Sequence, residues 1–232
     1  MEEHKPYHDI QLNDYHWEGF LLTTVLAYGN DKFCSVVSDT QITNSLTFEP
    51  TNGLPKVIKV SNKIIIALSG NVECFVKIFG WEYMKFPARK REFKRYFNSN
   101  FQYHYADDCF DSLSNFAKDN IHVDCNIFVF GQNSTGGMFY GKISTDPYSL
   151  IKEVSDLKIY KYSDLPNDLD KSKNEGRYDR FMQELDKNSL NHDCRGSFIS
   201  EVQRYQALFI NRIALESKFS NNEICSEIIQ IE

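Results

Sequence analysis

The apolar pattern begins with two short runs, Leu21–Tyr28 and Phe33–Asp39, separated by the polar stretch Gly29-Asn30-Asp31-Lys32. Runs of that length around such a connection predict a β-hairpin. β character returns at Lys56–Val60, and after the turn Ser61-Asn62-Lys63 comes the unbroken apolar run Ile64–Leu68, which suits a strand covered on both faces. From Gly70-Asn71 the period changes to that of a helix, with Val72, Phe75, Val76, Phe79 and Tyr83 on one stripe and Pro87 as its stop. A second helix is predicted over Asp107–Asn120, with Phe110, Leu113, Phe116 and Ala117 on one face. Two strands follow, Val123–Phe130 and Gly137–Ile143, joined by a Gly- and Asn-containing loop, and Leu157–Tyr162 reads as another. Ser163 to Cys194 is charged and poorly periodic and reads as an insertion, helical around Tyr178–Leu185 and otherwise loop or disordered. A periodic helix opens at Gly196-Ser197, with Val202, Tyr205, Phe209 and Ile213 in line, and the chain closes on a strand, Ile224–Ile231. Strands in pairs with helices between them predict an α+β fold: two antiparallel sheets face to face with helices on the outer faces.

Composition leaves that picture in place and narrows the setting. The 232 residues are 41% hydrophobic and 25% charged, ordinary values for one globular domain with a sizeable core. No apolar run approaches the ~20 residues of a spanning helix, and the start, MEEHKPYHDI, lacks the basic head and apolar run of a signal peptide. A cytoplasmic protein without membrane contact is expected. Six cysteines, Cys34, Cys74, Cys109, Cys125, Cys194 and Cys225, stand without CxxC pairs, so reduced thiols are expected rather than disulfides or a zinc site. His4, His8 and His16 match no common metal spacing. A net charge of −6 gives no reason to expect nucleic acid. The basic stretch Arg89, Lys90, Arg91, Lys94 and Arg95 is interleaved with Phe93, Tyr96 and Phe97. It reads as an exposed amphipathic helix or loop, with binding of nucleic acid or an acidic partner as the sharper alternative.

The candidate chemistry lies at the ends of the first strands. Thr23-Thr24 stands near the head of the first run, Asp39 closes the second, and Lys56 opens the third. A threonine hydroxyl becomes a useful nucleophile when a base takes its proton, and the α-amine of a chain-terminal Thr, with a pKa of about 8, is such a base. A nearby Lys lowers the pKa of that amine, and an Asp holds the Lys in place. The three residue types at three strand ends therefore suit an N-terminal nucleophile site.

TTVLAYGNDKFCSVVSDTQIT, followed by KVIKVSNKIIIALSGNVECF, resembles the start of a proteasome β-type subunit, and more closely the small bacterial relatives of the HslV peptidase, as a divergent bacterial-type member. The resemblance implies the four-layer αββα fold of the N-terminal nucleophile hydrolases, and it covers Leu21 to Phe86 best. It implies Thr23 as nucleophile, Asp39 sixteen residues on, and Lys56 one residue beyond the family's usual spacing. It also implies an oxyanion hole of backbone N–H groups near Gly70, with Ser220 standing in for a supporting residue. Residues 1–22 would then be a propeptide, and 23–232 a single domain with a polar insertion at 163–195. The implied protein needs no cofactor or metal, cuts a peptide or protein substrate, forms a homo-oligomer and, as in some members, works with an unfolding ATPase. Four departures keep a second reading open. Leu22 stands where self-cleaving relatives carry Gly, no Gly-Ser-Gly turn occurs, and neither the supporting Asp nor the second C-terminal helix has a counterpart. A permanent N-terminal arm on a catalytically inactive assembly or binding scaffold fits those departures equally.

Overall fold

The computed structural model describes residues 23–30, 32–43, 50–51, 53–80, 90–101, 103–155, 159–166, 168–189, 196–218 and 220–230. The N-terminal segment 1–22, Tyr83, Pro87, Arg89, Cys194 and the three N-terminal histidines lie outside the described residues. Among the described residues the strands are β1 (Val25–Asn30), β2 (Phe33–Asp39), β3 (Ile42–Thr43), β4 (Pro50–Thr51), β5 (Val57–Lys59), β6 (Ile64–Gly70), β7 (Cys125–Gln132), β8 (Met138–Thr145), β9 (Tyr148–Ser155), β10 (Ile159–Asp164) and β11 (Ile224–Gln230). The helices are α1 (Val72–Phe79), α2 (Lys90–Asn100), α3 (Ala106–Asn120), α4 (Lys171–Ser189) and α5 (Gly196–Glu216). One large sheet has the order β10-β1-β2-β11 and the other β5-β6-β7-β8-β9, β3 and β4 form a small two-stranded sheet, and every pairing is antiparallel.

Three apolar clusters turn these sheets into four layers. Between the sheets, Val25, Ala27, Cys34, Val36, Cys225 and Ile229 of the first meet Val57, Ile65, Ala67, Phe128, Phe130, Met138 and Tyr140 of the second. Strand alternation sends the next residues the other way. Ile64, Ile66, Leu68, Ile127 and Val129 pack under α1 to α3, while Leu26, Tyr28, Phe33 and Val37 pack under α4 and α5. The α+β, αββα sandwich expected from the strand pattern is the observed architecture.

Differences from the sequence expectations are local and have physical causes. The first helix stops at Phe79, short of Tyr83 and Pro87, because Gly80 takes φ +81° and turns its N–H back to the Val76 carbonyl at 2.8 Å. The basic stretch contributes an eleven-residue helix. Phe97 seats it in the core, with ring centroids 5.8 Å from Phe79 and 5.0 Å from Phe101. β9, for which the sequence reading offered no element, completes the second sheet through a two-residue turn after Thr145.

The stretch 163–195, read as helical around Tyr178–Leu185 and otherwise loop or disordered, carries a longer helix, the nineteen-residue α4, while β10 answers to the strand expected over Leu157–Tyr162. Polar residues surround a one-sided stripe of Asn174, Tyr178 and Met182, all buried at four-residue spacing. Among the described side chains this stripe is sparse and escapes a periodicity count, yet it suffices once a sheet lies beneath it. Among the described residues, Cys34, Cys74, Cys109, Cys125 and Cys225 are buried thiols, and no helix is long and apolar enough to cross a membrane.

Candidate active site

The β1–β2 ladder continues one step past its last regular pair, Val25↔Ser38, to bring Thr24 beside Asp39. The Asp39 N–H donates to the Thr24 carbonyl at 3.3 Å, and the Thr24 N–H donates to Asp39 Oδ2 at 2.6 Å. Beyond Asp39 the chain turns sharply, because Asp39 Oδ1 accepts the N–H of Gln41 two residues on, at 2.9 Å. The loop from β2 to β5 is drawn back by Thr40, whose carbonyl accepts from the Leu54 N–H at 3.2 Å. The Thr40 hydroxyl also accepts from the Gly53 N–H at 3.3 Å. That return delivers Lys56 to the carboxylate, and Lys56 Nζ lies 2.6 Å from Asp39 Oδ1 with both side chains at 0% exposure.

A third element closes the cluster. The segment between α5 and β11 is held by Gln41 Nε2 donating to the Lys218 carbonyl at 2.8 Å. Thr40 adds two more ties, its N–H donating to Asn221 Oδ1 at 3.2 Å and its hydroxyl to Glu223 Oε2 at 2.7 Å. Ser220 is thereby placed between two groups: its Oγ is 3.3 Å from Asp39 Oδ2 and 3.1 Å from Thr24 Oγ1. With the Ser220 proton directed at the carboxylate, Thr24 donates to Ser220, and a hydroxyl chain runs Thr24–Ser220–Asp39.

Asp39 thus accepts from Lys56 and Gln41 on one oxygen and from Thr24 and Ser220 on the other. That satisfaction lets a carboxylate stand at zero exposure, since an isolated buried charge is far too costly. Burial pushes the Lys56 ammonium below its ordinary value, and the charge and hydrogen bond of Asp39 oppose the shift without cancelling it. A lysine so placed gives up a proton more readily than one in water.

The other named residues take distinct places. Thr23 is 2% exposed, and its Oγ1 has no hydrogen-bond partner among the described residues. Its neighbour Thr24, rather than Thr23, makes the contacts to Asp39 and Ser220. Gly70 ends β6 on the same side as Lys56, whose carbonyl accepts the Leu68 N–H at 3.0 Å. Its φ of +103° belongs to glycine, and a Cβ there would stand 2.4 Å from the Cys125 Cα. The basic stretch around Lys94 and Arg95 belongs to α2, and no contact ties it to the Asp39 cluster among the described residues. Sequence reasoning missed Thr40, Gln41 and Asn221. The readable signal was the tripeptide Asp39-Thr40-Gln41, since an Asp at a strand end accepts the N–H two residues on.

An αββα sandwich with a buried Lys–Asp pair at the end of β2 and just before β5 is the class that fold and site define. No known family profile matches the chain, and no curated protein matches it. Among solved structures it is similar to eukaryotic HslV from Trypanosoma brucei, at 10% identity and a TM-score of 0.49, over 89% of this chain and 99% of that one. At that distance the likeness assigns no role to any residue of this chain.

Proposed function

We propose that the protein is a proteasome-like threonine hydrolase that cuts amide bonds with Thr23 once residues 1–22 have been removed. The observation that carries the reading is the Asp39 carboxylate, which joins the buried Lys56 ammonium to the peptide N–H that follows Thr23. In the freed chain the Thr23 amine takes the hydroxyl proton, and Oγ1 attacks the substrate carbonyl. The tetrahedral centre collapses with loss of the amine product, which carries the proton away. Water then splits the resulting ester and restores the hydroxyl. Lys56 lowers the pKa of the Thr23 amine, Asp39 orients Lys56, and backbone N–H groups near Gly70 receive the negative charge on oxygen. Ser220 is a positioning residue acting through Asp39 and Thr24. The substrate is a peptide or protein, and the working form a cytoplasmic homo-oligomer fed by an ATPase.

A second reading, an inactive scaffold of the same fold, is favoured by two facts. Leu22 precedes Thr23, and the Thr23 side chain is buried without a partner among the described residues.

Intact mass of the purified chain and of Thr23→Ala separates the two. Loss of Met1–Leu22 by wild type alone is the expected result. If neither chain is shortened, a chain cut by an added protease to begin at Thr23 is assayed on fluorogenic peptides. Failure there as well leaves the scaffold.

A further inference from the structure

Where the two sheets meet beside Asp39, three buried polar groups carry unused hydrogen-bonding capacity. Thr23 Oγ1 and Ser38 Oγ, in residues 2% and 0% exposed, have no partner among the described residues. Lys56 Nζ has three protons, and among the described residues it directs one, at Asp39 Oδ1 over 2.6 Å. Buried hydroxyls and ammonium protons without partners are unfavourable. Here the shortfalls match: two protons without acceptors and two oxygens able to accept. Topology brings the three groups to one compartment. Thr23 continues the alternation of Val25 and Ala27, and Ser38 that of Cys34 and Val36, all facing the second sheet. In the ladder Ser38 lies between Val25 of β1 and Cys225 of β11. Cys225 reaches across the gap, its thiol donating to the Val57 carbonyl at 3.4 Å, and it lies near enough to act electrostatically on Lys56. Lys56 starts beside Val57 of the second sheet and ends on Asp39 of the first, so its side chain crosses between the sheets at this row.

We propose that Ser38 is a positioning residue for Lys56: in the working site its Oγ accepts a second proton of the ammonium, and the third is left for Thr23 Oγ1. The inference rests on the reading of Thr23 as nucleophile and adds to it the residue that orients the ammonium. A single bond to Asp39 lets the head of Lys56 swing about that contact. A second acceptor from the same strand removes the freedom, and small losses of alignment are costly in catalysis. Asp39 closes β2, so an ammonium standing at that end is level with both faces of the strand. A hydrogen bond to the charged form also favours it, so Ser38 helps to keep Lys56 protonated. If Ser38 were no more than a small core residue, alanine would serve as well, because it fills the same apolar face without a hydroxyl to satisfy.

The test titrates Lys56 by NMR in the full chain carrying 13C-labelled lysine, with Lys56→Met identifying the signal. Asp39 and Cys225 are the titratable groups that act on Lys56, and Ser38→Ala changes neither. Ser38→Ala is expected to lower the Lys56 midpoint by about one pH unit, a tenfold change in its acidity. Ser38→Thr, which returns the hydroxyl, should return the midpoint. On fluorogenic peptides kcat should fall about tenfold in Ser38→Ala with KM unchanged, and the alkaline limb of its pH profile should move to lower pH, because Lys56 loses its proton earlier. A Lys56 midpoint that Ser38→Ala leaves unchanged overturns the proposal, whether or not peptide is cut. A shifted midpoint in a protein that cuts no peptide keeps Ser38 on Lys56 and overturns the nucleophile reading instead.

Discussion

The β1–β2 hairpin carries two buried polar networks, and they are built differently. At its open end Asp39, Lys56, Ser220 and Thr24 form a charged network. On its outer face a neutral one seats the helices. Ser35 Oγ donates to Gln206 Oε1 at 2.7 Å, Gln206 Nε2 donates to the Ser35 carbonyl at 3.3 Å, and the Tyr178 hydroxyl donates to the Ala27 carbonyl at 3.1 Å. Both satisfy their polar groups, and the neutral one does so without moving a charge out of water. Replacing a buried ion pair by apolar residues of similar size is often neutral or stabilising. Stability alone therefore gives no reason for a lysine and an aspartate at zero exposure.

The comparison breaks most sharply with Asp39→Ala, which strands the Lys56 charge. A loss of about 3–5 kcal/mol in urea unfolding is expected. The double variant Asp39→Leu/Lys56→Met should recover most of it while abolishing processing at Thr23. A double variant as unstable as the single one would mean that the pair holds the fold. Gln206→Leu should cost about 1–3 kcal/mol by leaving the Ser35 hydroxyl without its acceptor, with processing at Thr23 unchanged in intact mass. Ser220→Ala leaves the buried Thr24 hydroxyl without that partner and should cost roughly 1–2 kcal/mol. It should also slow processing, followed by mass against time, whereas Ser220→Thr, which keeps a hydroxyl, restores it.

pH sharpens the same contrast. The folded-state pKa of Lys56 lies below 10.5, so between those two values the unfolded chain holds a proton that the folded one lacks, and this group's contribution to stability rises with pH. Burial raises the Cys74 and Cys109 thiols above 9.0, so above that pH the unfolded thiols ionise first and stability falls. Urea midpoints measured from neutral to alkaline pH should fall more steeply in Asp39→Leu/Lys56→Met than in wild type, and less steeply in Cys109→Ala. The smallest effect belongs to the exposed pair Lys77–Glu73, N···O 2.6 Å. Removing the carboxylate with Glu73→Gln should change stability by no more than about 0.5 kcal/mol.

Much of the fold was legible because the pattern is local. Ile64–Leu68 has no polar position, and a strand without one must be covered on both faces, as it is by the inter-sheet core and by α1. The helix of Val72, Phe75 and Phe79 announced its buried face in the same way. α4 did so only around Tyr178–Leu185, because its buried stripe is sparse among many charges. β9 was silent for a related reason, since an edge strand exposed on both faces has no alternation to read.

For the site, the sequence by itself determined the candidates: a Thr pair, an Asp and a Lys at successive strand ends, a glycine after an apolar strand, and a serine before the last one. Tertiary structure decided which of them meet. It set Thr24 rather than Thr23 on Asp39 and Ser220, and brought Ser220 into contact across 196 residues of chain. It also made Thr40 the clasp that returns Lys56 to the carboxylate. The physical reason is one of range. Periodicity records what each residue needs from its immediate element. A buried charge is satisfied by donors from wherever the fold can supply them, and here they come from the β1–β2 ladder, the β2–β5 return and the α5–β11 loop.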